Sequence, residues 1–130
     1  MKYLKAFIAG IACPSTLLPF LLCLAVLADK PQVLSIPFLH FIPIIWGIWN
    51  VLYIAFAKDT FPKDEIASML ATGAILGFIV AAVGIFWVNI PAIVGIPQQY
   101  AYLPLLFGPI LYSVLWLFIV RPLNNLLGLK

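Results

Sequence analysis

Charge is what this sequence has least of. Its 130 residues include seven Lys or Arg, four Asp or Glu and a single His. A soluble domain is about 25% charged, whereas 8% of this chain is charged and 65% is apolar. So few charges cannot cover the surface that a compact fold of this size exposes to water. The composition therefore excludes an ordinary soluble domain and matches lipid as the solvent. The net charge is +3, without a basic cluster larger than a pair. Nucleic-acid binding needs a basic stripe or patch and is excluded on that ground.

Cysteine and histidine are scarce as well. Cys13 and Cys23 are ten residues apart in one apolar run. At roughly 100° per helical residue they point to different sides, so a mutual disulfide or a shared metal is not expected. Both read as small packing residues. A metal site needs several ligands, and His40 has no second histidine. There is no phosphate-cradling glycine loop, no haem pair and no nucleophile beside a base. The expectation is a protein with no cofactor and no enzymatic activity.

Long uncharged runs are what the sequence does have. Residues 6–28, 31–57 and 66–120 contain no Asp, Glu, Lys or Arg, which makes runs of 23, 27 and 55 residues. About 20 apolar residues cross a bilayer as a helix, so the first two runs fit one span each and the third fits two. The third run breaks between Phe86 and Tyr102, where Asn89, Pro91, Gly95, Pro97, Gln98 and Gln99 cluster. The reading is an all-α integral membrane protein, one domain over 1–130, with spans at 5–28, 36–57, 65–88 and 102–120. Short connections make a four-transmembrane-helix up-down bundle the simplest topology. Pro14, Pro19, Pro37, Pro43, Pro104 and Pro109 fall within these spans and predict kinks. Ser15 and Thr16 are candidate partners for carbonyls freed in span one. The equal spacing of Pro14/Pro19 and Pro104/Pro109 hints at an internal repeat of kinked spans.

Cations set the orientation, because cytoplasmic loops carry the excess of Lys and Arg. With four spans, Lys2, Lys5, Lys58, Lys63, Arg121 and Lys130 share one side and Lys30 is alone on the other. Both termini are therefore expected in the cytoplasm, and the short Lys-containing start fits a bacterial inner membrane. The start also has the outline of a secretory signal ending at Ala28. Its 23-residue apolar run exceeds the usual core of about 7–15 residues, so an uncleaved span is expected. Tyr3, Tyr53, Phe56, Trp87, Tyr100 and Tyr102 stand at the span ends as interfacial anchors. In the second loop, Pro62 suits a helix's first turn, and Asp64 and Glu65 suit its positive end.

Two patterns bear on packing and function. In span three Gly73, Gly77 and Ala81 recur every four residues, with Gly84 close to the same line. Such spacing lets helix backbones approach in lipid, in the manner of GxxxG contacts. Ala6, Gly10 and Cys13 form a shorter small edge on span one, so spans one and three are expected to pack through these faces. In span two, Trp46, Trp49, Tyr53 and Phe56 follow a 3-4-3 spacing and are expected to lie against the small face of span three. His40 is the one ionisable group within a span, and Asn50 is expected to bond a neighbouring helix. His40, Trp46, Trp49, Asn50 and Tyr53 are the candidate ligand residues. In length the chain is similar to small four-span multidrug transporters, but those use a carboxylate in the first span and span one here has none. The expected role is that of an accessory membrane protein with lipid, another membrane protein or its own copies as partners. The alternative is a small oligomeric transporter or channel for a small solute, a lipid or an organic cation.

Overall fold

The computed structural model describes residues 1–60 and 64–129. Pro62, Lys63 and Lys130, to which the sequence assigns a helix start and inner-face charge, lie outside the described residues. The described chain is helical, with no strand. The helices are α1 (Lys2–Leu27), α2 (Pro37–Ala57), α3 (Glu65–Trp87), α4 (Ile90–Val94) and α5 (104–126). A 3₁₀ turn, Pro31–Ser35, links α1 to α2. The chain segments containing α1, α2, α3 and α5 are long and apolar enough to cross a membrane.

The helix ends follow local chemistry. Pro37 and Pro104 sit in the first turns of α2 and α5 rather than inside them, where the missing N–H costs nothing. Pro14, Pro19, Pro43 and Pro109 are internal. The α1 helix closes through Lys30 N–H to Ala25 O (2.9 Å) and Asp29 N–H to Val26 O (3.1 Å), with Asp29 left-handed at φ 58°. This paired closure satisfies carbonyls that the helix end leaves free. At the start of α3, the Asp64 carboxylate accepts from Ile66 N–H at 3.2 Å. The α5 helix continues six residues beyond the expected end at 120, because Arg121 marks the limit of the uncharged run and not of the helix. The Arg121 guanidinium reaches Glu65 at the start of α3 through Nε–Oε1 and Nη2–Oε2 contacts of 3.2 and 3.3 Å. Gly128, at φ 72°, then turns the chain so that Leu129 is buried under the bundle.

Two antiparallel hairpins make up the structure, α1 with α2 and α3 with α5. Each is held by glycine at the crossing. A Cβ on Gly10 would lie 2.6 Å from Trp46 O and 2.9 Å from Gly47 Cα. One on Gly73 would lie 2.6 Å from Tyr112 O and 2.8 Å from Ser113 Cα. At Gly77 it would fall on the Gly108 carbonyl, and the Ala81 methyl also packs toward Gly108. The helices thus touch backbone to backbone. This corrects the pairing expected from sequence: the small faces of spans one and three do not meet, because each is used inside its own hairpin. Gly84 departs from the line as well, facing Ile90 of α4. The third loop accordingly folds back onto the bundle and buries Pro91.

The hairpins repeat one another. The buried residues of α1 are Ala6, Ala9, Gly10, Cys13 and Pro14, and a shift of 63 places them on Met69, Thr72, Gly73, Leu76 and Gly77, all buried in α3. A shift of 66 takes the neighbours of Gly10, which are Trp46 O, Gly47 Cα and Asn50 Cβ, onto those of Gly73, which are Tyr112 O, Ser113 Cα and Trp116 Cβ. The repeat therefore relates α1 to α3 and α2 to α5. It does not relate spans one and four, as the proline spacing suggested. Pro43 matches Pro109, while Pro14 matches Gly77.

Replacing Gly73 or Gly77 by Leu forces the α3 and α5 backbones apart. Overpacking of this kind costs about 1–3 kcal/mol. Reversible unfolding in mixed detergent should show each variant destabilised by more than about 1 kcal/mol. Parental stability for both would mean that the close crossing is wrong.

Candidate functional site

With small residues inside the hairpins, large ones meet between them. Trp46 and Asn50 of α2 face Tyr112 and Trp116 of α5. The Trp46 ring lies 4.9 Å from Tyr112 at 61° and 5.1 Å from Trp116 at 45°. Edge-on and tilted pairs of this kind are favourable ring geometries. Ile54 and Val120 continue the two stripes, both buried. The stripe 112, 116, 120, 124 steps by four residues, which drifts by about 40° per step on an ideal helix. The π turn at Trp116–Val120 winds more slowly and keeps Trp116, Val120 and Asn124 buried together. A matching π turn lies at Tyr53–Ala57 in α2.

Below the rings is a closed polar cluster. Asn50 Nδ2 donates to Asn124 Oδ1 at 2.8 Å, and Asn124 Nδ2 donates back to Asn50 Oδ1 at 3.0 Å. Asn50 Nδ2 also reaches Ala6 O at 2.7 Å. Both amides are essentially fully buried. The cluster ties α1, α2 and α5 together at a fully buried point, so each donor needs a protein acceptor. Among the described residues, Trp116 Nε1 is buried without a hydrogen-bond partner.

The five candidate ligand residues do not form one pocket. Trp46 and Asn50 fill the axis. Trp49 and Tyr53 turn toward α3 and, with Leu52, Phe56, Thr72 and Ile75, line an apolar cleft of about 370 Å³ between α2 and α3. Trp49 Nε1 donates to Thr72 O at 3.1 Å. The aromatic row of span two is therefore split, and its Trp49–Phe56 part faces Thr72 and Ile75 instead of the glycine edge, which α5 already covers. Tyr53 is 4% exposed, so it is a packing residue and not an interfacial anchor. His40 stands apart at the other end, exposed, with Nε2 2.9 Å from Leu34 O. A second apolar groove of about 300 Å³ runs between the hairpins beside Cys13, Leu17, Ile42 and Leu111. In span one, Thr16 Oγ1 lies 2.8 Å from Cys13 O and 3.1 Å from Ala12 O. Among the described residues no three His, Cys, Asp or Glu side chains gather as metal ligands.

Sequence reasoning missed Tyr112, Trp116 and Asn124. The stripe at every fourth residue from 112 was visible, but Asn124 falls beyond Arg121 and was left outside the span. Hydrogen bonds in helix bundles within lipid are worth about 0.6 kcal/mol each. Removing the three that Asn50 makes should therefore cost about 2 kcal/mol. Asn50→Ala is expected to lower stability by that amount, and the pair Asn50→Leu with Asn124→Leu to recover part of it, because no unpaired amide remains. Additive losses in the double variant, measured by detergent unfolding, would refute the mutual pairing.

Comparison with protein-family models, with curated proteins and with solved structures finds no match.

Proposed function

We propose that the chain is a multi-pass protein of the bacterial inner membrane, folded as an up-down bundle of four spans with both termini in the cytoplasm. It acts as an accessory component, through lateral helix contacts with other membrane components. The collar of exposed apolar side chains supports insertion: Phe20 is 61% exposed, Leu106 61% and Phe118 70%. Soluble monomers rarely carry large apolar patches, whereas lipid accepts such a surface at no cost. Orientation rests on the cation count. Lys5 and the Glu65–Arg121 pair gather at one end, where Lys5 Nζ reaches Leu127 O, while Lys30 lies at the other.

The filled axis carries the accessory reading. Trp46, Tyr112 and Trp116 occupy the space between the hairpins, the Asn50–Asn124 pair closes it below, and the sequence places no Asp, Glu, Lys or Arg in the corresponding runs. A path for ions or solutes within one chain would need water or titratable groups there. What the molecule offers instead are outward faces and lateral grooves, which suit association with other helices or lipids. Small residues at Gly73 and Gly77 contribute by GxxxG-type packing inside the bundle, leaving the outer faces free.

A second reading, a small oligomeric transporter or channel, is favoured by one observation. The two hairpins are parallel repeats, an arrangement found in transporters. Passage would then run between copies of the chain. Purification in mild detergent followed by reconstitution separates the two. The accessory reading expects a heteromeric complex of fixed stoichiometry and liposomes that remain tight to small solutes. Homo-oligomers with saturable flux that is lost in Trp49→Ala would replace it with transport.

A further inference from the structure

At the end of the bundle opposite Glu65 and Arg121, α3 stops and the chain turns through α4 toward Gln98–Tyr100. These segments enclose a pocket of about 510 Å³, within the range of about 300–1,000 Å³ typical of small-molecule sites. Pro91, buried, forms part of its wall with Ile85, Ala92, Ile96 and Ala101, and Phe86, Trp87, Tyr102, Asn89 and Gln98 line the rest. Its chemistry differs from that of the two apolar grooves, because aromatic faces here alternate with uncharged hydrogen-bonding groups.

Three details describe what would fit. The Phe86 and Tyr102 rings are neighbours, 6.1 Å apart and tilted by 35°, so two aromatic rings stand together at the wall. Trp87 is 88% exposed beside them. Asn89 adopts the left-handed region at φ 59° and its side chain makes no capping bond, which leaves the amide free to donate and accept. No charged side chain lines the pocket, since Lys30 approaches Gly95 on the loop beside it.

The geometry points to a binding site for a neutral, polyhydroxylated ring, a saccharide. Its C–H face would lie against one of these rings while its hydroxyls exchange hydrogen bonds with Asn89 and Gln98. Amides suit hydroxyls because both donate and accept. A quaternary ammonium is the poorer fit. Its charge calls for a carboxylate or a closed aromatic cage, and no carboxylate is present in this lining. Interfacial anchoring alone accounts for an exposed Trp87 but not for a concave site with a free amide at Asn89. The saccharide could be free in solution or the headgroup of a glycolipid, since both present the same ring.

The test uses the full chain in phosphatidylglycerol nanodiscs. One arm titrates glucose, galactose, N-acetylglucosamine and maltose, read by saturation-transfer NMR and calorimetry. The other adds glucosyl- or galactosyl-diacylglycerol to the disc and reads its retention by native mass spectrometry. Saturable binding is expected in at least one arm, weakened about tenfold or more by Trp87→Ala and by Gln98→Ala, and unchanged by Phe118→Ala at the opposite end. Binding of free sugar assigns a soluble ligand, and retention of glycolipid alone assigns a headgroup; either supports the site. The proposal is overturned by no saturable binding in both arms, by parental affinity in both pocket variants, or by choline competing as well as the sugars.

Discussion

Backbone contact at Gly10 and Gly73 is the constraint from which the rest of this structure follows. A helix pair can close to that distance only if one partner has no side chain at the crossing. Once it has closed, the bulky residues of α2 and α5 have no room inside the hairpin. They are displaced to the interface between hairpins, where Trp46, Tyr112 and Trp116 meet. Small residues thus carry the backbone crossings within the hairpins, where the Phe7 ring also packs on Gly47, and the rings of Trp46, Tyr112 and Trp116 join the hairpins. In lipid, the solvent we propose for this chain, such an arrangement would take the place of the hydrophobic effect, which there gives no preference for one apolar surface over another. Dispersion between closely packed atoms takes over, and it rewards close backbone approach and interlocked rings.

That same solvent explains which features the sequence discloses. The spans are readable because charge is expensive in hydrocarbon, and the uncharged runs recover α1, α2 and α3 to within a few residues. Facing is much harder to read. In a soluble helix polar residues mark the outside, whereas here Leu21, Phe41 and Phe107 face outward and are as apolar as the core. Only small residues and rare polar ones distinguish one side from another. Gly73 and Gly77 indicate a close contact without naming the partner, and the helix with the matching small edge, α1, is not it. The candidate site suffers from the same ambiguity. The 3-4-3 aromatic row in span two is a real helical stripe, yet it is wide enough for Trp46 to face the axis while Trp49 and Phe56 face α3. The third loop is legible as a break and illegible as a pocket, because its concavity depends on α4 folding back over Gly84.

The Asn50–Asn124 pair adds what ring packing cannot. Tryptophan and tyrosine faces tolerate sliding by a fraction of a turn, since dispersion varies slowly along an aromatic surface. Two amides that exchange hydrogen bonds at 2.8 and 3.0 Å do not: a shift of one residue separates them and leaves Asn50 Oδ1 and both polar atoms of the Asn124 amide without partners. The third bond, to Ala6 O at 2.7 Å, fixes α1 to the same point. Together with Arg121 and Glu65, which lock α5 to α3, this polar layer at one end sets the axial register of all four long helices. Its energetic weight is small beside that of the packed rings, but its specificity is larger, as a buried polar residue sets register in coiled coils. The two tryptophans illustrate the opposite case. The Trp116 indole N–H is buried without a partner, and Trp46 and Trp116 pack chiefly through their ring faces. The middle of the bundle is therefore filled by shape, and its register is fixed by the amide pair one turn below. The interior is thus committed to holding the bundle together.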